Sequence, residues 1–189
     1  MCELSEEARL KNYELFKKKL GDLGIDSDKM ESILYDKLIN APYAIDTISG
    51  LAYDGSLLNT VLRVLTPFAL KINDLLPENL RCEKASIVKV CLLQHLAKAD
   101  MFIPNDNEWE INKLGRKYKY SNKKLALKLG ARSLAIAIQM NVPLTEVEVE
   151  AMTIIDKVDD EQAKIFANPL SVVIRQANEL VTTTSIFKE

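Results

Sequence analysis

Two stretches, Ser56 to Leu76 and Glu83 to Ala99, place apolar side chains at every third or fourth position with few charges between them. That spacing is the period of an α-helix, and so much apolar surface demands burial on most sides. A chain holding two such segments must wrap other elements around them, so a helical bundle is expected. In the first stretch Pro67 removes a backbone donor and predicts a bend. In the second, Ile87, Val88, Cys91, Leu92 and Leu96 fall in register for burial.

Shorter amphipathic segments flank this core. Leu10, Tyr13, Leu15, Phe16 and Leu20 share one face of a helix from about Ser5 to Leu20, which Gly21 and Gly24 end. A second helix begins at Asp28, with Glu31 as a capping-box partner, and stops before Pro42. Residues 1–40 therefore read as a helical preface packed on a main domain of residues 41–189. Pro42, Gly50 and Gly55 mark the loop that joins them. Around 108–120 the pattern changes: both flanks of Lys113-Leu114-Gly115 alternate, which predicts a small β-hairpin anchored to the body by Trp109. Ser121 or Asn122 then caps a helix to about Met140. Thr145 with Glu148 makes a capping box, and Leu144 with Val149 a hydrophobic staple, for a helix to about Val158. Asp159-Asp160-Glu161 reads as surface. Pro169 suits the first turn of a last helix that ends near Thr182-Thr183-Thr184. The expected fold class is all-α with one hairpin insertion.

Composition narrows the function. With 48% apolar residues in 189, one domain buries a core without staples. A net charge of -2 and a pI near 5.6 argue against nucleic acid as partner. The odd cysteine count (Cys2, Cys82 and Cys91) includes no CxxC pair, and Cys91 reads as a buried reduced thiol. The acidic start lacks the apolar core of a signal peptide, and no run reaches the roughly 18 apolar residues of a membrane span. A soluble, cytoplasmic protein is expected.

Five short motifs then occur in a familiar order. Ala52-Tyr53-Asp54-Gly55-Ser56-Leu57-Leu58-Asn59-Thr60 comes first, followed by Leu92-Leu93-Gln94-His95-Leu96-Ala97-Lys98. Leu129-Gly130-Ala131-Arg132-Ser133, Leu144-Thr145-Glu146 and Asn168-Pro169-Leu170 with Ala177-Asn178-Glu179-Leu180 complete the series. The order resembles that of the HD-domain phosphohydrolase superfamily over roughly Ala41 to Thr184. The resemblance implies an HD-like helical bundle around a metal centre, in a class common among bacterial and phage proteins of nucleotide metabolism and signalling.

The same resemblance removes the metal ligands. The family's first ligand histidine aligns with Thr60, its His-Asp pair with Gln94 and His95, and its final aspartate with Asn178. Second-metal histidines align with Leu129 and Ile155, and a loop histidine with Gly50. Independently of any alignment, the chain holds one histidine, so an imidazole-rich site cannot be assembled in a monomer. Thr60, Gln94 and Asn178 are expected to pair with one another in place of an ion, with His95 a hydrogen-bonded core residue beside them.

Lys98 matches the lysine that the family places near substrate phosphate, or it is a solvated lysine at a helix end. Lys113, Arg116, Lys117, Lys119, Lys123, Lys124 and Lys128 run without an intervening acid beside Tyr118 and Tyr120. They read either as a phosphate-holding, base-stacking ribbon or as a solvated face. Lys98, Arg132, Arg116, Lys117 and Lys119 are thus the candidate phosphate-binding groups. The resulting expectation is a catalytically inactive HD-like protein that binds a nucleotide, another phosphorylated small molecule or a protein partner. It needs no cofactor. The alternatives are an active phosphohydrolase with a divalent metal in a rearranged site, and a structural protein that contacts a partner or a second copy of itself.

Overall fold

The computed structural model describes residues 3–122, 126–157, 161 and 167–186. Helices α1 (Glu6–Asp22) and α2 (Asp28–Asn40) lead to a loop, then α3 (Ser56–Thr60), a π-turn (Val61–Leu65) and α4 (Thr66–Leu75). Next come α5 (Lys84–Leu93), α6 (Ala97–Met101), β1 (Phe102–Pro104), α7 (Glu108–Leu114) and β2 (Tyr118–Tyr120). Helices α8 (Leu129–Gln139), α9 (Glu146–Thr153) and α10 (Pro169–Ile186) complete the order. The fold is all-α with one two-stranded antiparallel ribbon. None of the described helices is long and apolar enough to cross a membrane.

Helix α5 is the hub. It packs on α4, α9, α10, α8 and α1, which explains why Ile87, Val90, Cys91, Leu92 and Leu93 are all buried. Burying each large aliphatic side chain stabilises the fold by about 1.5–3 kcal/mol before chain entropy is charged against it. Tyr13, Phe16 and Leu20 of α1 and Met30, Leu34 and Leu38 of α2 belong to the same continuous core. Cys82 and Cys91 are free thiols. Burial pushes the Cys91 thiol up to about 12, so it stays protonated and inert.

The expected capping box of α9 is present, and Glu148 does more than cap. Its carboxylate accepts the Thr145 N–H at 2.9 Å and the Ser86 hydroxyl at 2.8 Å, and it pairs with Lys89 at 2.9 Å. A single buried acid thereby pins the start of α9 to α5, and these partners hold it below the usual carboxylate range against the cost of burial.

Elsewhere the structure corrects local expectations. The bend before Pro67 is a π-turn: the Thr66 N–H reaches back five residues to the Val61 carbonyl, and the Thr66 hydroxyl joins it at 2.8 Å. The extra residue gives the proline ring room that a continuous α-helix lacks. The stretch Glu83 to Ala99 is not one helix. Between α5 and α6, Leu96 bonds back to Leu93 and Lys98 to His95, tighter three-residue steps that break the helix at the site described below.

The hairpin at 108–120 is also corrected. Asn107 accepts the N–H groups of Trp109 and Glu110, and Gly115 at φ 63° closes the other end, so Glu108–Leu114 is helical. The strand that pairs with Tyr118–Tyr120 is Phe102–Pro104. Trp109 anchors nothing: it is 61% exposed. Helix α8 begins at Leu129, not near Ser121, because the Ser121 N–H is committed to the Met101 carbonyl at 2.7 Å beside the ribbon. Glu31 does not cap α2; its carboxylate instead takes the Lys17 ammonium at 2.6 Å and the Tyr13 hydroxyl at 3.2 Å. Helix α9 gives way to a 3₁₀ turn at Ile154–Asp156. Helix α10 continues through the threonines because Thr182 and Thr184 donate to the carbonyls four residues back. Val158, Asp159, Asp160, Lys123 and Lys124 lie outside the described residues.

Candidate functional site

A cavity of about 870 Å³ opens where α6, the start of α8, the Ile154–Asp156 turn and α10 meet, with Tyr43 and Tyr120 in its wall. Its polar side is built from residues far apart in the chain. Asn178 donates its amide N–H groups to the Ile174 carbonyl at 2.9 Å and to Gln94 Oε1 at 3.0 Å. The backbone carbonyl sets the amide's orientation, because only a donor satisfies it. Asn178 Oδ1 therefore faces His95 Nε2 at 2.8 Å and the Tyr43 hydroxyl at 3.2 Å, and it accepts from both. The imidazole must then carry its proton on Nε2, since Nε2 meets a carbonyl oxygen. Burial, with the Lys98 charge adding to it, drives His95 well below its ordinary range, and the Asn178 bond opposes this only in part. The ring is neutral.

Of the four residues expected to cluster in place of an ion, Gln94, His95 and Asn178 meet in this network. Thr60 does not join them, which corrects the expectation that it would; its buried hydroxyl has no partner. Gln94 Nε2 and His95 Nδ1 are likewise buried and unpaired. Each such group costs about 1–3 kcal/mol. A divalent ion does not fit this donor set. Two of the three groups are neutral amides, the third is a neutral imidazole bonded to one of them, and Asn178 Oδ1 is already occupied by two donors. Among the described residues no three His, Cys, Asp or Glu side chains are grouped to hold a metal ion.

Lys98 is not a solvated lysine at a helix end, which corrects one of its two readings. It is 7% exposed. Its Nζ donates to the Tyr43 carbonyl at 2.8 Å and lies 3.5 Å from the centroid of the Tyr43 ring. A carbonyl dipole and a ring face offset less of the desolvation cost than a carboxylate does. Burial accordingly pushes the ammonium down from 10.5 to about 7.

Two further cations share the wall. Arg175 Nη1 is buried without a hydrogen-bond partner. Lys128 Nζ donates to the Asp156 carbonyl at 3.0 Å. The Asp156 carboxylate is turned away to cap α8, accepting Gly130 N–H at 2.9 Å and Ala131 N–H at 2.8 Å. Leu129, Ile154, Ile155 and Met101 supply apolar lining.

Of the candidate phosphate-binding residues, Lys98 alone lines this cavity. Arg132 pairs with Asp100 at 2.8 Å, Lys117 with Glu3 at 3.7 Å and Lys119 with Asp106. Arg116 forms an isolated backbone bridge with Asp46. Arg132, Lys117 and Lys119 are thus engaged in ion pairs, and none of these four cations lines the cavity. Sequence reasoning missed Arg175 and Tyr43. Arg175 was within reach, because positions 175, 178 and 182 share one face of a helix. No local signal pointed to Tyr43. Compared with known proteins, the chain matches no family model, no curated protein and no solved structure.

Proposed function

We propose that this cavity binds a phosphorylated small molecule, with nucleotides the first class to test, in a catalytically inactive relative of the HD phosphohydrolases. The observation that carries the reading is Arg175 Nη1, a guanidinium donor withdrawn from water and left without an acceptor. A guanidinium keeps its charge at any physiological pH, so one that lines a cavity and has a donor unmet within the fold suits an anion. Lys128 in the same wall adds a second cation that suits the spread charge of a phosphate. Tyr43, Tyr120 and the isoleucines suit an apolar or aromatic remainder.

The loss of catalysis is supported by the chemistry of the donor set. Gln94 and Asn178 satisfy each other, and the neutral His95 is tied to Asn178. No group there is arranged to activate water on an ion.

The test is thermal unfolding with nucleoside mono-, di- and triphosphates and inorganic phosphate, on wild type and Arg175→Gln. A ligand present at about 100 times its Kd adds about 2.7 kcal/mol of stability. The expected result is a shift in wild type that Arg175→Gln loses. A set of phosphates that leaves wild type unmoved, or that shifts both proteins equally, overturns the reading. Hydrolysis of any of these compounds dependent on an added divalent ion overturns the inactive part of it.

A further inference from the structure

Lys98 is a primary amine that the proposed anion pocket leaves unexplained. It lines the cavity with Arg175 and Lys128, yet its Nζ touches only a backbone carbonyl and the face of Tyr43. Among the described residues Lys98 forms no ion pair: Asp100 is engaged by Arg132 and Lys37, Asp156 caps the start of α8, and Glu179 lines the same cavity without bonding to the amine. With no anion bound, neither a carboxylate nor open water holds a charge on Lys98, which is 7% exposed. Such surroundings favour the uncharged amine, which is the nucleophilic form.

From this placement we infer that Lys98 forms an imine with a phosphorylated aldehyde or ketone, whose phosphate is held by Arg175 and Lys128. The inference rests on the anion-binding reading and specifies the substrate class of that site. The step balances without an oxidant or a second reactant. The neutral amine adds to the carbonyl carbon, the carbonyl oxygen gains protons, and one water leaves as the carbon–nitrogen double bond forms. The Tyr43 ring, packed edge-on against His95, covers one side of the amine.

The experiment uses the full chain with pyridoxal phosphate as probe, reduction by borohydride, and mass spectrometry to map the modified lysine. At limiting probe near neutral pH, Lys98 is expected to take up roughly tenfold more label than any exposed lysine, because those are almost wholly protonated. Inorganic phosphate should suppress that labelling, and Lys98→Arg should remove the phosphate-sensitive part of the imine absorbance. Label spread over surface lysines with Lys98 spared overturns the inference, and wild-type mapping alone decides this if the variant fails to fold. Pyridoxine phosphate, which has no carbonyl, separates the two readings. A thermal shift with it but no label on Lys98 leaves the anion pocket standing and sinks the imine. Label on Lys98 that phosphate and pyridoxine phosphate do not suppress sinks the anion pocket instead.

Discussion

Replacing Lys98 by methionine keeps the length of the side chain and removes its titration. In the wild type the folded state holds this amine at about 7 by burial, against an ordinary 10.5 in the unfolded chain. Between those values the unfolded chain binds a proton that the folded protein does not, so wild-type stability rises with pH. Below about pH 7 both states are protonated and the penalty is fully present; above about pH 10.5 both are neutral and it is gone. At about 1.4 kcal/mol per pH unit the whole window is worth about 5 kcal/mol. Between about pH 7.5 and 9.5 the wild type should gain roughly 2–3 kcal/mol on Lys98→Met. The variant forfeits the bond to the Tyr43 carbonyl, a constant cost of about 1–3 kcal/mol that does not alter the slope. Urea denaturation of both proteins across this range measures the difference. His95, which feels the Lys98 charge, is neutral in both proteins across this range, so its contribution cancels. Parallel stability curves would refute the claim that Lys98 is held in a desolvated place.

Three other outcomes follow from the same geometry. The lone imidazole can be followed by NMR without assignment, and it should remain neutral as pH falls through 6.5, while stability declines because the unfolded chain takes up the proton; a midpoint near 6.5 in the folded protein would contradict its buried setting. Asp156→Ala removes the acceptor of two N–H groups at the start of α8 and should cost about 1–2 kcal/mol in urea unfolding, with faster amide exchange at Gly130 and Ala131. Asp156→Asn, which keeps an acceptor oxygen, should lose less, and equal losses would count against the cap. Gly130→Ala would bring a methyl to 2.7 Å from the Met152 carbonyl oxygen and 2.9 Å from Asp156 Oδ2. That crowding should destabilise by about 1–3 kcal/mol, and an unchanged midpoint would show that α8 and α9 can part.

Glu108 to Asn112 alternates, yet Asn107 and Gly115 supply a cap at each end, and over so short a segment the caps outweigh the alternation. Glu83 to Ala99 has no glycine or proline, so nothing local announces the tight turn at Gln94 to Leu96. Ser121 and Asn122 have the chemistry of helix caps, but the ribbon claims the Ser121 N–H first. In the candidate site, Gln94, His95 and Asn178 were named from motif order and do meet. Thr60, from the same reasoning, has no bond to them.

What the sequence alone determined is what depends on neighbours a few residues away: the helices of the N-terminal preface, the apolar faces of the core segments, and the Thr145–Glu148 cap. Its composition also settled that one imidazole is all the chain has. Charge state and pairing were decided by tertiary structure. The carbonyl that holds Lys98 is 55 positions away, and the amide that orients His95 is 83 away. The energy of a buried polar group is set by its surroundings in space, and no window along the chain contains them.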